Sequence, residues 1–280
     1  MRRRKLLPKV LVGSVVGLVY LFLLAPVIVV AGASFDGGKS VAGRAFLQFP
    51  PSDLTLYWYE NIQPRLWEAL GVSVSVAAVA ATVGTVLGVP AALGIVRSNL
   101  PGKTLIATLF RAPLQIPFIV IGIAFLQTYY FFADAVGFGL QGTFAGLALG
   151  HVFVATPYVV GSVGAALQRF DVRLEEAALS LGANRLTTFR RVTLPIIMPG
   201  IYAGALFAFM VSFGDVPISL FLASATYTTL PLEIFHGMEF DFDAAVLAIS
   251  TVVLLGSLVV LYFIQRIVGL DVLLRSGGNG

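Results

Sequence analysis

The sequence predicts an all-α polytopic membrane protein with six transmembrane helices and both termini in the cytoplasm. Three observations carry this. The 280 residues are 58% hydrophobic and only 11% charged, with a mean hydropathy of +0.93, whereas soluble domains carry about 25% charged residues. Six apolar stretches reach the roughly 20 residues needed to cross a bilayer. The basic residues gather on one side of those stretches.

The spans are taken in order as Val10 to Ala31, Trp67 to Val96, Pro113 to Phe132, Thr143 to Leu167, Gly200 to Leu222, and Ala244 to Ile264. The first mimics a secretory signal, with a basic start and Ala31-Gly32-Ala33 after it. Its apolar run of about 22 residues exceeds the roughly 7–15 of a signal core, so it reads as a retained span. Glycine and alanine between Ala77 and Ala92 should let the second span pack closely on its neighbours. Gln127, Tyr129 and Tyr130 near the end of the third span read as a membrane-interface cluster.

Arg2, Arg3, Arg4, Lys5, Lys9, Arg97, Lys103, Arg111, Arg169, Arg173, Arg185, Arg190, Arg191, Arg266 and Arg275 fall on one side. Only Lys39, Arg44 and Arg65 fall on the other. An excess of lysine and arginine marks the cytoplasmic side. The outer side is acidic, and its Glu233–Asp243 stretch carries no basic residue. That stretch either attracts cations or a binding protein by charge, or simply obeys the topology rule. The basic pI near 9.5 is thereby a property of topology, and no nucleic-acid partner is expected.

The chain reads as one transmembrane domain, 1–280, with a long outer connection at 32–64 and a cytoplasmic loop at 168–198. The outer connection holds Pro50, Pro51 and the aromatics Tyr57, Trp58 and Tyr59, which suit a short interfacial helix. Absence of cysteine excludes disulfides and thiolate metal sites, and two histidines, His151 and His236, make no metal cluster. No Gly-x4-Gly-Lys-Ser/Thr phosphate loop is present, so any ATP must be bound by another subunit.

The cytoplasmic loop has structure of its own. Asp171 suits an N-cap, and Glu175 and Glu176 sit near the positive end of a helix dipole. Gly182 is placed to end that helix in a left-handed turn. A second short helix, Asn184 to Thr193, is expected to stop before Pro195, with Pro199 opening span five. Leu174, Ala177, Ala178 and Leu181 form one apolar stripe, while Val172 and Leu179 lie on the opposite side. Two apolar faces separated by charge are expected of a helix held between its own bundle and a partner.

The run Glu176-Ala177-Ala178-x3-Gly182-x9-Val192-x-Leu194-Pro195 resembles the signature loop of binding-protein-dependent ABC importer permeases. The six-span layout matches as well. The resemblance implies a type I importer permease fold and a partner set. These are a dimer of ATP-binding subunits carrying ATP and Mg, a second permease subunit, and a periplasmic substrate-binding protein. It implies that the loop docks into a groove on the ATP-binding subunit. Glu176 would meet a basic group there, Ala177 and Ala178 would permit close approach, and Gly182 would supply the turn. It also implies a bacterial inner-membrane location, no cofactor in this chain and no catalytic residue. Thr228-Thr-Leu-Pro-Leu-Glu233 and Ala244-Ala-Val-Leu-Ala-Ile-Ser250 resemble the spermidine/putrescine branch, which also includes iron(III), thiamine and aminophosphonate importers.

Asp215 is the one acidic residue deep in a span, about 22 Å into span five at about 1.5 Å per residue. A charge there costs roughly 2.5–3.5 kcal/mol on insertion scales, so it should face a cavity or a partner. Gly214 and Pro217 beside it predict a break in the helix. Asp215 either lines a path for a cationic solute or caps the helix that resumes at Pro217. Ser212, Phe213, Ser219, His151 and Tyr158 are the further candidates for that path. A stand-alone secondary carrier would need ion-coupling residues in the membrane, for which Asp215 alone is thin support. No serine–histidine or metal-ligand arrangement supports an intramembrane enzyme.

Overall fold

The computed structural model describes residues 6–37, 39–41, 44–46, 48–98, 101–239 and 245–268. Arg2 to Lys5, Arg275 and the 240–243 part of the acidic outer stretch lie outside the described residues. The chain divides into two compact units, Met1–Leu66 with His236–Ile264, and Trp67–Phe235 with Gln265–Gly280.

In the first unit, α1 (Leu6–Ala33) is an apolar helix with none of its membrane-length window buried within the chain. Such a surface is compatible only with lipid or other membrane helices. The outer connection folds around Asp36, which is buried. Its carboxylate accepts the Gln48 amide at 2.8 Å and the Ser52 amide at 2.9 Å. The Gln48 hydrogen bond foremost holds this carboxyl below its usual range, against the opposing effect of burial. The Asp36 carbonyl accepts Trp58 Nε1–H at 2.9 Å, and the Ser34 hydroxyl meets the Tyr59 hydroxyl at 2.6 Å. Two three-residue strands, β1 (Lys39–Val41) and β2 (Arg44–Phe46), form an antiparallel hairpin in an otherwise helical fold. The expected surface helix is present as α2 (Tyr57–Glu60). An apolar helix, α12 (Ala245–Val268), buries Ala248 and Ile249.

The second unit contains α3 (Pro64–Arg97, its first turn in the other unit), α4 (Lys103–Arg111), α5 (Phe118–Val136) and α6 (Phe144–Gln168). Then come α7 (Arg173–Ser180), α8 (Arg185–Thr188), α9 (Leu194–Phe213), α10 (Pro217–Leu222) and the start of α11 (Leu230–Glu239). Five described helical segments are long and apolar enough to cross a membrane: α1, α3, α5, α6 and the continuous run Arg185–Phe213.

Three expected boundaries moved, each because of proline chemistry. Pro113 belongs to a 3-10 turn (Ala112–Leu114), and Pro117 is the cap from which α5 starts, so span three begins at Phe118. The chain does not stop before Pro195. A π-helical turn (Phe189–Thr193) joins α8 to α9, and Pro195 sits in the first turn of α9. That position tolerates a missing N–H, and the wider π turn relieves the crowding a proline ring imposes on the preceding turn. Pro199 is consequently inside α9 rather than at its start. Span five ends at Phe213, and the stretch to Leu222 is the separate helix α10. The short α4, unpredicted, presents no buried residue.

α6 is the central helix, with 61% of its membrane-length window buried. Backbones approach it closely at glycines. A Cβ on Gly88 of α3 would lie 2.9 Å from Val159, and one on Gly204 of α9 would lie 2.9 Å from the Val159 Cα. Ser162 Oγ of α6 donates to the Gly200 carbonyl of α9 at 2.9 Å. On its other end Gly150 meets Leu222 and Ile218 of α10. Tyr129, read from sequence as an interface residue, is instead buried and donates its hydroxyl to the Gly146 carbonyl at 2.7 Å. A buried phenol needs such a partner.

Because the obstacle at Gly204 is backbone, which cannot rotate away, Gly204→Leu should destabilise the protein by about 1–3 kcal/mol. A drop in thermal midpoint in detergent would show it, and an unchanged midpoint would contradict the close α6–α9 approach.

Candidate functional site

Two arrangements carry the candidate residues. The first is the loop between α6 and α9. Asp171 Oδ1 accepts the Arg173 amide at 3.0 Å and so ties down the first amide of α7, from one residue outside the cap position, which Val172 holds. Gly182 has φ +87°. The Ala183 amide reaches back to the Ala178 carbonyl at 3.1 Å and the Gly182 amide to the Leu179 carbonyl at 3.0 Å. This paired closure is the Schellman arrangement, and it needs a residue that tolerates the left-handed region. Asn184 then caps α8, its Oδ1 accepting the Thr187 amide at 2.9 Å.

α7 buries no residue. Val172 is 48% exposed, Leu174 47%, Leu179 44% and Leu181 89%. Leu174 and Leu181 of the apolar stripe therefore do not pack on the chain's own bundle. The side that turns inward is shifted by one position, to Glu175 and Ala178, which are half-buried. The role of Glu175 has no signal in the spacing of its own helix, because its partner Arg97 lies 78 residues away. Its Oε2 receives Arg97 Nη1 of α3 at 2.6 Å, and its Oε1 accepts the Thr193 hydroxyl from the π turn. Burial acts to raise this carboxyl, but the Arg97 and Thr193 hydrogen bonds hold it below the usual range. Glu176, Ala177 and Gly182 are exposed, while Val192 and Leu194 pack against the core cluster that contains Val163, Leu167 and Ile197. Pro195 is exposed at the start of α9.

The second arrangement lies at the predicted break, which the structure shows between Phe213 and Pro217. Asp215 Oδ2 accepts the Ile218 amide at 3.0 Å and the Ser219 amide at 3.1 Å, capping α10. His151 of α6 spans the break: Nδ1 lies 2.8 Å from Ser212 Oγ at the end of α9, and Nε2 lies 3.2 Å from Ser219 Oγ in α10. The Ser219 hydroxyl points toward the Asp215 carbonyl at 3.4 Å. Each ring nitrogen of His151 thus has a serine hydroxyl within hydrogen-bond distance, and which nitrogen donates depends on the tautomer. Nε2 is also 3.9 Å from Asp215 Oδ2, and Asp215 Oδ1 is buried without a hydrogen-bond partner.

His151, Ser212, Asp215 and Ser219 are thus brought together, at 0–3% exposure, and turned toward one another rather than toward open space. Phe213 is apart from them, stacked on Phe209 at 5.8 Å, and Tyr158 is half-buried lower on α6. A cavity of about 620 Å³ lies elsewhere in this unit, between Leu87, Phe110, Pro113, Phe125, Phe153 and Pro157, and is almost wholly apolar. Among the described residues no group of histidine, aspartate or glutamate is arranged to hold a metal ion.

The family described as binding-protein-dependent transport system inner membrane component matches residues 84–272, the stretch holding both arrangements. The chain belongs to this family. It is an ABC importer permease, the membrane component rather than the catalytic subunit. It is 32% identical over 238 residues to the putrescine transport system permease protein PotI of Escherichia coli K12, covering 84% of this chain and 82% of that one. It is 30% identical over 251 residues to the spermidine/putrescine permease PotC of Haemophilus influenzae, covering 89% and 93%. Its fold resembles that of a solved bacterial ABC transporter involved in alginate import, with a TM-score of 0.71 at 17% identity over 94% of this chain and 97% of that one.

The cap geometry separates two substitutions of the permease at one position. Asp215→Asn keeps a side-chain carbonyl for the Ile218 and Ser219 amides and should leave thermal stability within about 0.5 kcal/mol, whereas Asp215→Ala should cost about 1–2 kcal/mol. Equal damage from both in a detergent melt would contradict the capping role.

Proposed function

We propose that this permease translocates a small cationic solute of the polyamine class, delivered from outside by a substrate-binding protein. ATP and its Mg are held by a separate dimer of ATP-binding subunits, and a second permease subunit completes the pore. The five described spans and α12 together make six crossings, with both ends and the α7 loop in the cytoplasm. The asymmetry of lysine and arginine supports that orientation. The names of the putrescine and spermidine/putrescine relatives support the solute class.

One observation carries the coupling role. α7 is an ordered, capped helix whose apolar side chains Val172, Leu174, Leu179 and Leu181 are left uncovered by the chain itself. A loop helix outside the bilayer that ends its packing this way has its remaining surface free for a protein partner. We read it as the element that docks on the ATP-binding subunit, with Glu176 and Ala177 in the interface and Gly182 setting its end. Asp215, with His151, Ser212 and Ser219, closes the bundle at the α9–α10 break in this conformation. These groups meet solute only when the break parts from α6, and Phe213 and Tyr158 are the more open candidates for the path.

ATP-dependent uptake by vesicles carrying the full complex tests this reading, with putrescine, spermidine, iron(III), thiamine and an aminophosphonate as the panel. Polyamine uptake that needs ATP and disappears in Gly182→Val is the expected result, since a β-branched residue is strained at φ +87°. Uptake of another solute alone would overturn the polyamine assignment, and uptake indifferent to ATP would favour a stand-alone carrier.

A further inference from the structure

The polar contacts of α7 with the transmembrane helices run through a residue outside the signature positions. Glu175 joins three separate pieces of chain. One oxygen takes the guanidinium of Arg97, the last residue of α3. The other takes the hydroxyl of Thr193, the last residue of the π turn that leads into α9. The Arg97 guanidinium in turn lies over the Phe170 ring, 4.9 Å from its centroid, and Phe170 belongs to the core cluster at the end of α6. The end of α3 and the turn that leads into α9 therefore meet on one carboxylate carried by α7, and Arg97 links that pair to the segment just after α6.

We propose that the Arg97–Glu175–Thr193 group is the transmission joint of the permease, the place where displacement of α7 becomes displacement of α3 and α9. The inference rests on the reading that α7 docks on an ATP-binding subunit. α7 buries no apolar side chain, so hydrophobic packing does not oblige the bundle to follow it. Arg97 at the end of α3 and Thr193 at the start of α9 each hold one oxygen of Glu175, and each hydrogen bond to an ionised carboxylate is roughly twice as strong as a neutral one. Thr193 is buried immediately before α9, so a pull on Glu175 acts on a fixed point at the start of that helix and not on a mobile side chain. The π turn beside it supplies a helical segment able to change register. Glu175, Arg97 and Thr193 are positioning residues: they touch neither solute nor nucleotide, and they leave the exposed face of α7 free.

The test separates joint from docking surface. The chain has no cysteine, so cysteines placed at Leu87 of α3 and Tyr202 of α9, both exposed, carry spin labels at known sites. The distance between them is measured in the full reconstituted complex, with and without ATP and vanadate, beside pull-down of the ATP-binding subunit and its hydrolysis rate. In the otherwise native chain, ATP and vanadate shift the distance. In Glu175→Gln and in Arg97→Met, capture and hydrolysis persist and the shift is lost. Exchanging the pair, Arg97→Glu with Glu175→Arg, restores at least half of it. A purely structural role would not predict hydrolysis without movement, nor rescue by exchange. A full shift in both single variants overturns the proposal. Should the glutamine variant fail to accumulate, Thr193→Val is read the same way: an attenuated shift supports the joint and an unchanged one overturns it. Failure of the native chain to capture any ATP-binding subunit overturns the docking reading and the joint with it.

Discussion

Inside a bilayer no water replaces a lost backbone hydrogen bond, and the permease interrupts one of its spans under that constraint. Between α9 and α10 the helix ladder stops, leaving amides that would each cost several kcal/mol if unpaired in hydrocarbon. Asp215 takes two of them, and His151 reaches across from α6 to hold a serine on each side of the gap. The rest of the second unit follows from this. α10 is fixed against Gly122 of α5 and Gly150 of α6, which places the α5, α6 and α9 backbones within reach of one another. The small residues of α3 and α9 then let those helices close on Val159.

The loop is built on the opposite logic. Where the span interior is closed by buried polar contacts and glycine-mediated packing, α7 is closed at its ends by caps and left open on its sides. Its apolar residues remain exposed, and its tie to the bundle is ionic and half-exposed. A surface ion pair contributes little to stability, so the arrangement is better suited to transmitting position than to holding the fold. A helix packed deep in the bundle could not be gripped by a partner, and Glu175 gives α7 its polar hold on Arg97 and Thr193.

Local chemistry made much of this legible from sequence. Gly182 was readable as a left-handed terminator, Asp171 as a helix-starting residue, and Gly214–Pro217 as a break, because each depends on its immediate neighbours. Asp215 could be narrowed to path or cap, but only coordinates show its oxygen on the Ile218 and Ser219 amides. The contacts that escaped are those between distant residues: Arg97 with Glu175, His151 with Ser212 and Ser219, and Leu230 with Ser73 across 157 positions. Periodicity grouped Leu174, Ala177, Ala178 and Leu181 on one stripe, but Ala178 turns inward with Glu175 while the two leucines stay exposed, a division that spacing alone does not give. Proline misled in the other direction. Pro195 looked like a stop, and the π turn that carries the helix through it has no simple sequence signature.

The central claim is that the uncovered face of α7 is a docking surface for the ATP-binding subunit. Single cysteines at Leu174 and at Leu181, in a chain that has none, can be labelled with a maleimide in membranes with and without that subunit. The account predicts that both are labelled freely in the permease alone and that both are protected when the subunit is bound. Equal labelling in the two preparations would contradict it.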